Sequence, residues 1–240
     1  MNLKMIGSGA IWCKELSSCA IINDKILLDI PNGTCKTLKK MNIDVGNIEY
    51  VFITHLHGDH FLDIPFLLLE KSNDNCKNKN LTIIGNEFVK ETVLKLFSLA
   101  FPTSCDYALK TLNLKFINCN KNLSIDSIDF SSLEVDHGNL KPAHSYLIKE
   151  NGHKVLFSGD TCLCGSIIDN CKDSYYAVLD CSLIKGNSSH MGIDNIKFLL
   201  DKNPNLKIVA THLQDSTRNQ LKLENIKNLI IAEDGLCINL

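Results

Sequence analysis

The chain has 240 residues, of which 45% are hydrophobic, with a formal net charge of -2 and a sequence pI of about 6.4. This composition predicts one globular domain over residues 1–240 and argues against a protein that wraps a polyanion or binds a membrane surface. Because Arg218 is the only arginine, bidentate recognition of phosphate or guanine by arginine is nearly absent.

The first half of the chain alternates short apolar runs with stretches that carry apolar residues at helical spacing. In chain order we predict strands 3–6, 19–22 and 25–30, helix 34–41, strand 50–53, and helices 65–72 and 87–100. The last helix stops before Pro102, which is typical of a helix end. The lysine- and asparagine-rich segment 71–80 predicts a solvated loop.

The second half continues the same alternation. Its predicted elements are strands 132–135, 145–148, 154–157 and 176–179, helix 194–202, strand 207–210 and helix 218–228. Strands interleaved with helices indicate a layered α/β protein.

The signals for location are weak but consistent. No secretory signal is evident at the start, and no apolar run approaches the roughly 18 residues of a membrane span. The 11 cysteines are scattered, which predicts a reduced, cytoplasmic protein whose cysteines are small buried hydrophobic residues. Cys162 and Cys164 lack the two-residue spacer of a zinc or redox pair.

A cluster of ligand-type residues follows the predicted strand 50–53. The letters THLHGDH place His55, His57, Asp59 and His60 on a tight turn. Imidazole and carboxylate groups are ligands for zinc, iron and manganese. Because the first two side chains can point one way and the last two another, the turn suits two adjacent metal ions. An exposed histidine-rich turn is the alternative interpretation.

Three further ligand-type residues follow apolar strands, namely His137, Asp160 and His212. The recurrence of the same pattern predicts one site assembled along one edge of the sheets. For Asp160 alone, a turn-forming aspartate is an equally good interpretation.

The motifs THLHGDH, DHG (136–138), SGDT (158–161) and THL (211–213) occur in an order that resembles the metallo-β-lactamase superfamily. The resemblance begins at LLDI (27–30) and covers nearly the whole chain. It implies a four-layered αββα metallo-β-lactamase sandwich with a dinuclear metal site on one edge. The implied cofactors are two divalent transition-metal ions, preferably zinc, with manganese or iron as alternatives.

The resemblance also implies which residues hold each ion. One ion would be held by His55, His57 and His137. The other would be held by Asp59, His60 and His212. Asp160 would bridge the two.

Within the superfamily the chain is most similar to the ribonuclease Z branch and its phosphodiesterase relatives, and an aspartate rather than a cysteine at Asp160 disfavours the true β-lactamases. The stretch 180–200 resembles the one that carries an extra histidine in that branch. The resemblance therefore implies that His190 donates a proton to the leaving group, and Asp59 and His190 are the two predicted catalytic residues. An exposed loop histidine is the alternative for His190.

One departure from the branch bears on the substrate. Ribonuclease Z usually inserts a long arm that grips transfer RNA between the third motif and the bridging aspartate, whereas positions 138–159 here hold only two short strands and a turn. We therefore expect a small phosphodiester or another ester as substrate, with nucleic acid less favoured. No membrane partner is expected, and a homodimer is compatible with the sequence.

Two metal ions roughly 3.5–4 Å apart can share a hydroxide and make it a nucleophile at neutral pH. The sequence thus predicts a metal-dependent hydrolase that uses a metal-bridging hydroxide on a small or cyclic phosphodiester or on an RNA 3′ end. The same hydroxide could attack a thioester, lactone or sulfate ester. A non-catalytic metal carrier or sensor is a further alternative, and a redox role with two irons would need a flavin partner.

Four other residues have roles that the sequence leaves open. Asp29 and Asp180 end apolar strands, where they could either fix histidine tautomers or cap the strand ends. His144 is expected to be a pocket or structural residue, and His153 is expected to be solvated.

Overall fold

The computed structural model of the protein describes residues 1–239. Its strands are β1 (Asn2–Gly7), β2 (Cys19–Ile22), β3 (Ile26–Leu28), β4 (Tyr50–Phe52), β5 (Asn80–Gly85), β6 (Asn113–Asn118), β7 (Leu123–Ile125), β8 (Ile128–His137), β9 (Leu140–Glu150), β10 (His153–Phe157), β11 (Tyr176–Asp180), β12 (Lys207–Thr211), β13 (Leu229–Ile231) and β14 (Cys237–Asn239). Its helices are α1 (Thr34–Lys40), α2 (Gly58–Phe61), α3 (Ile64–Ser72), α4 (Val89–Ala100), α5 (Cys105–Thr111), α6 (Gly165–Cys171), α7 (Ile193–Lys202) and α8 (Asp215–Leu223). A 3₁₀ turn spans Val45–Asn47.

The strands form two seven-stranded sheets. The first has the order β14-β1-β2-β3-β4-β5-β6, and the second has the order β13-β12-β11-β10-β9-β8-β7. Strands β3 to β6 are parallel to one another, and so are β10 to β13. Each sheet therefore has an edge at which the carboxyl ends of several strands meet, and in α/β sheets such edges commonly hold binding sites.

Side-chain alternation in the strands builds three apolar layers. In β2, Ala20 and Ile22 pack in the layer between the two sheets, whereas Cys19 and Ile21 pack with helices α1, α3, α4 and α5. A third layer joins the second sheet to α6, α7 and α8. The order of layers is helix, sheet, sheet, helix, so the predicted αββα architecture is confirmed.

Most predicted elements occur close to their expected bounds, and the differences have local causes. The predicted strand 25–30 ends at Leu28 because Asp29 has a φ of 61°, a left-handed conformation that a strand cannot contain. The predicted helix 218–228 instead spans Asp215–Leu223. No helix in residues 1–239 is long and apolar enough to cross a membrane.

The predicted solvated loop 71–80 is wrong at its start. Lys71 and Ser72 are the buried end of α3. The Lys71 ammonium donates a hydrogen bond of 2.9 Å to the carbonyl of Gly46, which compensates a charge that would otherwise be costly to bury. The lysine at position 71 was therefore a misleading signal for solvent exposure.

The prediction that the cysteines are reduced and buried holds only in part. All of them are free thiols, and six are buried, but Cys237 is exposed and Cys13, Cys76, Cys162 and Cys164 are half-buried. His153 is exposed, as predicted.

Candidate metal centre

The site lies where the strands of both sheets end. His55 follows β4, Asp160 follows β10, His212 follows β12, and His137 is the last residue of β8. These strand ends bring residues that are far apart in sequence to one edge.

Helix α2 supplies two more residues of the cluster. His57 stands at its N-cap, and Asp59 and His60 lie in its single turn. The carbonyl of His60 accepts a hydrogen bond of 2.8 Å from the amide of Ile30, which lies just after β3. A side chain at Gly58 would approach Leu62 to 2.8 Å, so the compact turn favours a glycine there.

Asp160 is at the centre of the cluster. Its Oδ2 lies 3.3 Å from Nε2 of His60, 3.4 Å from Nε2 of His212, 3.9 Å from Nε2 of His55 and 4.0 Å from Nε2 of His137. Four imidazole rings thus present the same nitrogen to one carboxylate oxygen.

The remaining two residues extend the cluster on opposite sides. Asp59 Oδ2 lies 3.4 Å from Nε2 of His212 and 3.7 Å from Nε2 of His60. His57 Nδ1 lies 3.1 Å from Nε2 of His137. The side chains form three overlapping groups whose ligand atoms lie within 4.8 Å of one another. The first is His55, His57, His137 and Asp160, the second is Asp59, His60 and His212, and the third is Asp160, Asp180, His190 and His212.

Two of the histidines have their tautomer set by acceptors that carry no proton of their own. His60 Nδ1 lies 2.8 Å from the carboxylate of Asp29, and His137 Nδ1 lies 2.8 Å from the carbonyl of Ser189. Each Nδ1 must therefore donate its hydrogen outward, which is how metal-bound histidines are usually oriented. In the neutral rings, Nε2 presents its lone pair to the cluster.

Hydroxyl groups fix the tautomers of the other two rings that face Asp160, those of His55 and His212. Thr54 Oγ1 donates to Asp29 and accepts from His55 Nδ1, at 2.8 and 3.0 Å. Ser182 Oγ donates to Asp180 at 2.7 Å and lies 2.7 Å from His212 Nδ1. Because each hydroxyl hydrogen is already used, the oxygen accepts from the ring, and Nε2 again faces inward.

Buried polar atoms of the cluster are left without partners. Within residues 1–239, Nε2 of His55, Nε2 of His60 and Oδ1 of Asp160 are buried and make no hydrogen bond. Each such atom costs about 1–3 kcal/mol unless something compensates it. A donor set of imidazole nitrogens and carboxylate oxygens suits zinc, manganese or iron. The residues therefore fit bound divalent cations.

Burial and neighbouring charges tune the groups for this role. Burial, with the charge of His60, holds the pKa of His55 well below its usual value, so that imidazole stays neutral. Burial opposes ionisation of Asp160, but the charges of His212 and His60 outweigh it and hold its pKa well below the usual range. Burial also opposes protonation of His60, yet Asp160 and Asp29 raise its pKa well above the usual value, so a cation would displace a proton there.

His190 stands beside the cluster. Its Nδ1 donates to Asp180 Oδ2 at 2.8 Å. Its ring stacks on that of His212, with centroids 5.4 Å apart and an interplanar angle of 9°. Burial lowers its pKa, but the hydrogen bond and charge of Asp180 prevail and raise it. The imidazole therefore tends to keep its proton.

The loop that carries His190 is tied to the cluster by main-chain contacts. Asn187 Oδ1 accepts hydrogen bonds of 2.8 Å from the amides of Ser189 and His190. The amide of Gly138 donates to the carbonyl of Ser188 at 3.0 Å. His190 is thus held next to the end of β8.

The two aspartates left open by the sequence serve both purposes. Asp29 accepts from His60 and also from the amide of Thr54, and Asp180 accepts from His190 and also from the amide of Ser182. Each carboxylate orients an imidazole and satisfies a backbone group at a strand end.

Sequence reasoning missed Thr54, Ser182 and Ser189. The two hydroxyl residues carried a usable signal, since Thr54 precedes His55 and Ser182 follows Asp180 by two positions. Ser189 contributes only a carbonyl, which no side-chain pattern could reveal. His144 is buried, and its amide donates to the carbonyl of Thr54 at 3.0 Å, which matches the expected structural role.

Comparison with known proteins identifies the family of the chain. The model of the family described as Anti-Pycsar protein Apyc1 matches residues 1–234. The chain belongs to this family.

Curated relatives are named ribonuclease Z. That of Staphylococcus carnosus is 31% identical over 161 residues, which cover 62% of this chain and 49% of the relative. That of Clostridium beijerinckii is 33% identical over 139 residues, which cover 55% of this chain and 43% of the relative. The matched part of the chain thus spans about half or less of the length of these relatives.

Solved structures share the fold at low sequence identity. YhfI from Bacillus subtilis, a metallo-β-lactamase fold protein, has a TM-score of 0.77 at 18% identity and covers 99% of this chain and 98% of its own. The short form of human tRNase Z has a TM-score of 0.75 at 19% identity and covers 100% and 99%. These comparisons place the chain among the ribonuclease Z-like members of the metallo-β-lactamase superfamily, as the motifs predicted.

Proposed function

We propose that the protein is a phosphodiesterase that requires two divalent metal ions, preferably zinc, and hydrolyses a small or cyclic phosphodiester. The observation that carries the proposal is the convergence of four inward-facing imidazole nitrogens on Asp160, with buried atoms that lack partners. Relatives named ribonuclease Z and a structural neighbour described as a diphosphatase from the PhnP family support phosphoester chemistry.

We assign the ligands by the first two groups of the cluster, because in the third group His190 Nδ1 is already paired with Asp180 at 2.8 Å. One ion would be held by His55, His57 and His137. The other would be held by Asp59, His60 and His212. Asp160 would serve both. When bound, the ions would supply Lewis acidity that activates water and neutralises charge developing on the phosphoryl group.

The chain itself supplies orientation and a proton. Asp29, Thr54, Ser182 and the carbonyl of Ser189 hold four of the five ligand rings by their outer nitrogens, so the inner nitrogens of these rings stay in place during turnover. His190 has a side chain that is 24% exposed, so a substrate can reach it. Held by Asp180 and kept protonated, it would donate to the departing alkoxide, a role worth about 10²–10⁴-fold in rate.

Two features favour a small diester over transfer RNA. Residues 140–157 form only the hairpin of β9 and β10, with no additional element that could grip a large substrate. Arg218, the one guanidinium of the chain, is buried and donates to the carbonyl of Ala232, so it cannot bind a phosphate backbone. Bidentate arginine contacts to phosphate oxygens are therefore not available to the chain.

The test combines metal analysis with a substrate panel. The purified protein should bind close to two transition-metal ions and hydrolyse aryl and cyclic phosphodiesters faster than thioesters, lactones or sulfate esters. A folded preparation that cannot be loaded beyond one ion would contradict the dinuclear assignment. Preference for a non-phosphate ester, or no turnover of any ester, would favour the other hydrolase classes or a metal carrier. Efficient removal of a precursor transfer-RNA trailer at ordinary salt would overturn the preference for small diesters.

A further inference from the structure

The loop between β1 and β2 exposes two large apolar side chains. Trp12 is 89% exposed and Ile11 is 53% exposed. Trp12 is also the only tryptophan of the chain. Indole rings are usually well covered in folded proteins because they carry a large apolar surface. An indole ring that is almost fully exposed therefore indicates a binding surface.

This loop lies against the segment that follows a cluster residue. The amide of Ala10 and the thiol of Cys13 both donate to the carbonyl of Leu213, at 3.1 and 3.0 Å. Leu213 in turn donates its amide to the carbonyl of Ser8 at 3.1 Å. Since Leu213 directly follows His212, Trp12 sits on a loop fastened to the edge of the candidate metal centre.

A polar network around the buried Arg218 fixes the base of the loop. Arg218 Nη2 donates to the carbonyl and hydroxyl of Ser8, at 3.2 and 3.0 Å, and Arg218 Nε lies 3.6 Å from Glu15 Oε1. Asp234 accepts from the hydroxyl of Ser8 and from the amide of Leu16. The loop is therefore ordered before any ligand arrives, which lowers the entropic cost of binding.

Other segments of the cluster display apolar side chains as well. Ile184 is 53% exposed on the loop that leads to His190, and Leu62 is 40% exposed two residues after His60. Together with Ile11 and Trp12, three chain segments that carry or adjoin cluster residues offer apolar surface. The charged centre is thus accompanied by surface suited to an organic group.

We propose that Trp12 stacks on an aromatic or heteroaromatic ring in the ester group that stays on the phosphoryl group, and so selects diesters that carry a ring in that group. The inference rests on the proposed phosphodiesterase function and assigns Trp12 as a specificity residue outside the metal cluster. An indole face pairs well with a flat ring, whereas an alkyl group gains much less from it. The phosphoryl group would lie at the cluster and the ring on the loop.

The single tryptophan makes binding directly observable. We would titrate the metal-loaded protein with phenylphosphonate and with methylphosphonate, which carry the same charged group and differ by the ring. Phenylphosphonate should shift the Trp12 emission to the blue in a saturable manner, and methylphosphonate should inhibit without changing the emission. Competitive inhibition by phenylphosphonate with unchanged emission would overturn the proposal.

Kinetics on two diesters with the same leaving group give a second test. The substrates are bis(4-nitrophenyl) phosphate, which retains a nitrophenyl group after cleavage, and methyl 4-nitrophenyl phosphate, which retains only a methyl group. Trp12→Ala should raise KM for the first by about tenfold, leave its kcat nearly unchanged, and leave KM for the second unchanged. Trp12→Phe should retain most of the affinity. Leu223→Ala, which alters an exposed side chain at the end of α8, should change neither constant.

The outcomes separate this inference from the one on which it rests. Wild-type protein that turns over neither diester would refute the proposed function. Wild-type activity with equal KM values for Trp12→Ala and the parent would refute the role of Trp12 alone. Blue emission of ligand-free protein that reverts on dilution would mean that a second copy of the chain covers Trp12, which would also overturn the proposal. Because Trp12 is so exposed, Trp12→Ala should fold normally, and the titration requires no variant.

Discussion

The two halves of the molecule each contain an aspartate at a strand end that binds an imidazole, and the pairs differ in one respect. In the first sheet Asp29 lies 2.8 Å from His60, and in the second sheet Asp180 lies 2.8 Å from His190. Both carboxylates are fully buried. The His60 side chain is 1% exposed, whereas that of His190 is 24% exposed.

The difference lies in what the other ring nitrogen can meet. His60 Nε2 is buried and faces Asp160 without a hydrogen bond, which suits a metal ligand. His190 is half-buried beside the cluster, where a substrate oxygen could approach it. The same aspartate–histidine pair can thus serve a ligand when it is closed off and a proton donor when it is open.

Removing each histidine in turn and measuring the metal content tests the difference between the two aspartate–histidine pairs most directly. His60→Ala should lower the metal content from about two ions to one or none and reduce diester turnover by more than about a thousandfold. His190→Ala should keep both ions. His212→Ala should resemble His60→Ala, and His153→Ala, at an exposed turn, should resemble the parent. Elemental analysis and turnover of one aryl diester decide the matter; full metal content in His60→Ala would remove it from the ligand set.

Substrates with different leaving groups test whether His190 is the proton donor. His190→Ala should lose about 10²–10⁴-fold on diesters whose alkoxide needs a proton. It should lose little on 4-nitrophenyl esters, because nitrophenolate leaves unprotonated. The ratio of kcat values across a leaving-group series measures this. An equal loss on good and poor leaving groups would assign His190 to the fold or to the metal shell.

The smallest expected effects come from the aspartates, since they act through the histidines. Asp29→Asn should weaken metal binding by about 10–100-fold. Asp180→Asn keeps an amide oxygen that can still accept from the Ser182 hydroxyl, which orients His212, so it should leave the metal content unchanged and lower kcat by about 10–100-fold. Asp180 raises the pKa of His190, and a general acid works only while it is protonated. Activity therefore falls as pH rises through that pKa, and Asp180→Asn should move this fall to lower pH. Identical pH profiles for parent and variant would contradict the pairing.

Much of the fold was predictable because apolar periodicity is strong in the central strands. Strands β5 and β6 were missed since Asn80 and Asn113 open them with residues typical of turns, and their pairing with β4 depends on the rest of the sheet. The short strands β7, β13 and β14 were missed as well. They gain their stability from neighbours rather than from local sequence.

The candidate site divides in the same way. His55, His57, Asp59 and His60 form a contiguous motif that the sequence displays directly. His137, Asp160 and His212 could be predicted only because each follows an apolar strand. His137 donates a hydrogen bond to the backbone carbonyl of Ser189, and the network from Arg218 to the Trp12 loop joins residues that are distant in sequence. Neither contact had a local signal.

Gly159, at the end of a strand of the second sheet, restricts which residue can stand at position 54, at the end of a strand of the first sheet. It has a φ of 60°, and a side chain there would approach the side-chain atoms of Thr54 to 2.7 Å. Thr54 holds both Asp29 and His55, and Gly159 directly precedes Asp160. Any bulkier residue at 159 would push the two strand ends apart, unless position 54 shrank and gave up its hydroxyl or its methyl group. The two positions are therefore not free to vary independently, and their substitutions should be strongly non-additive.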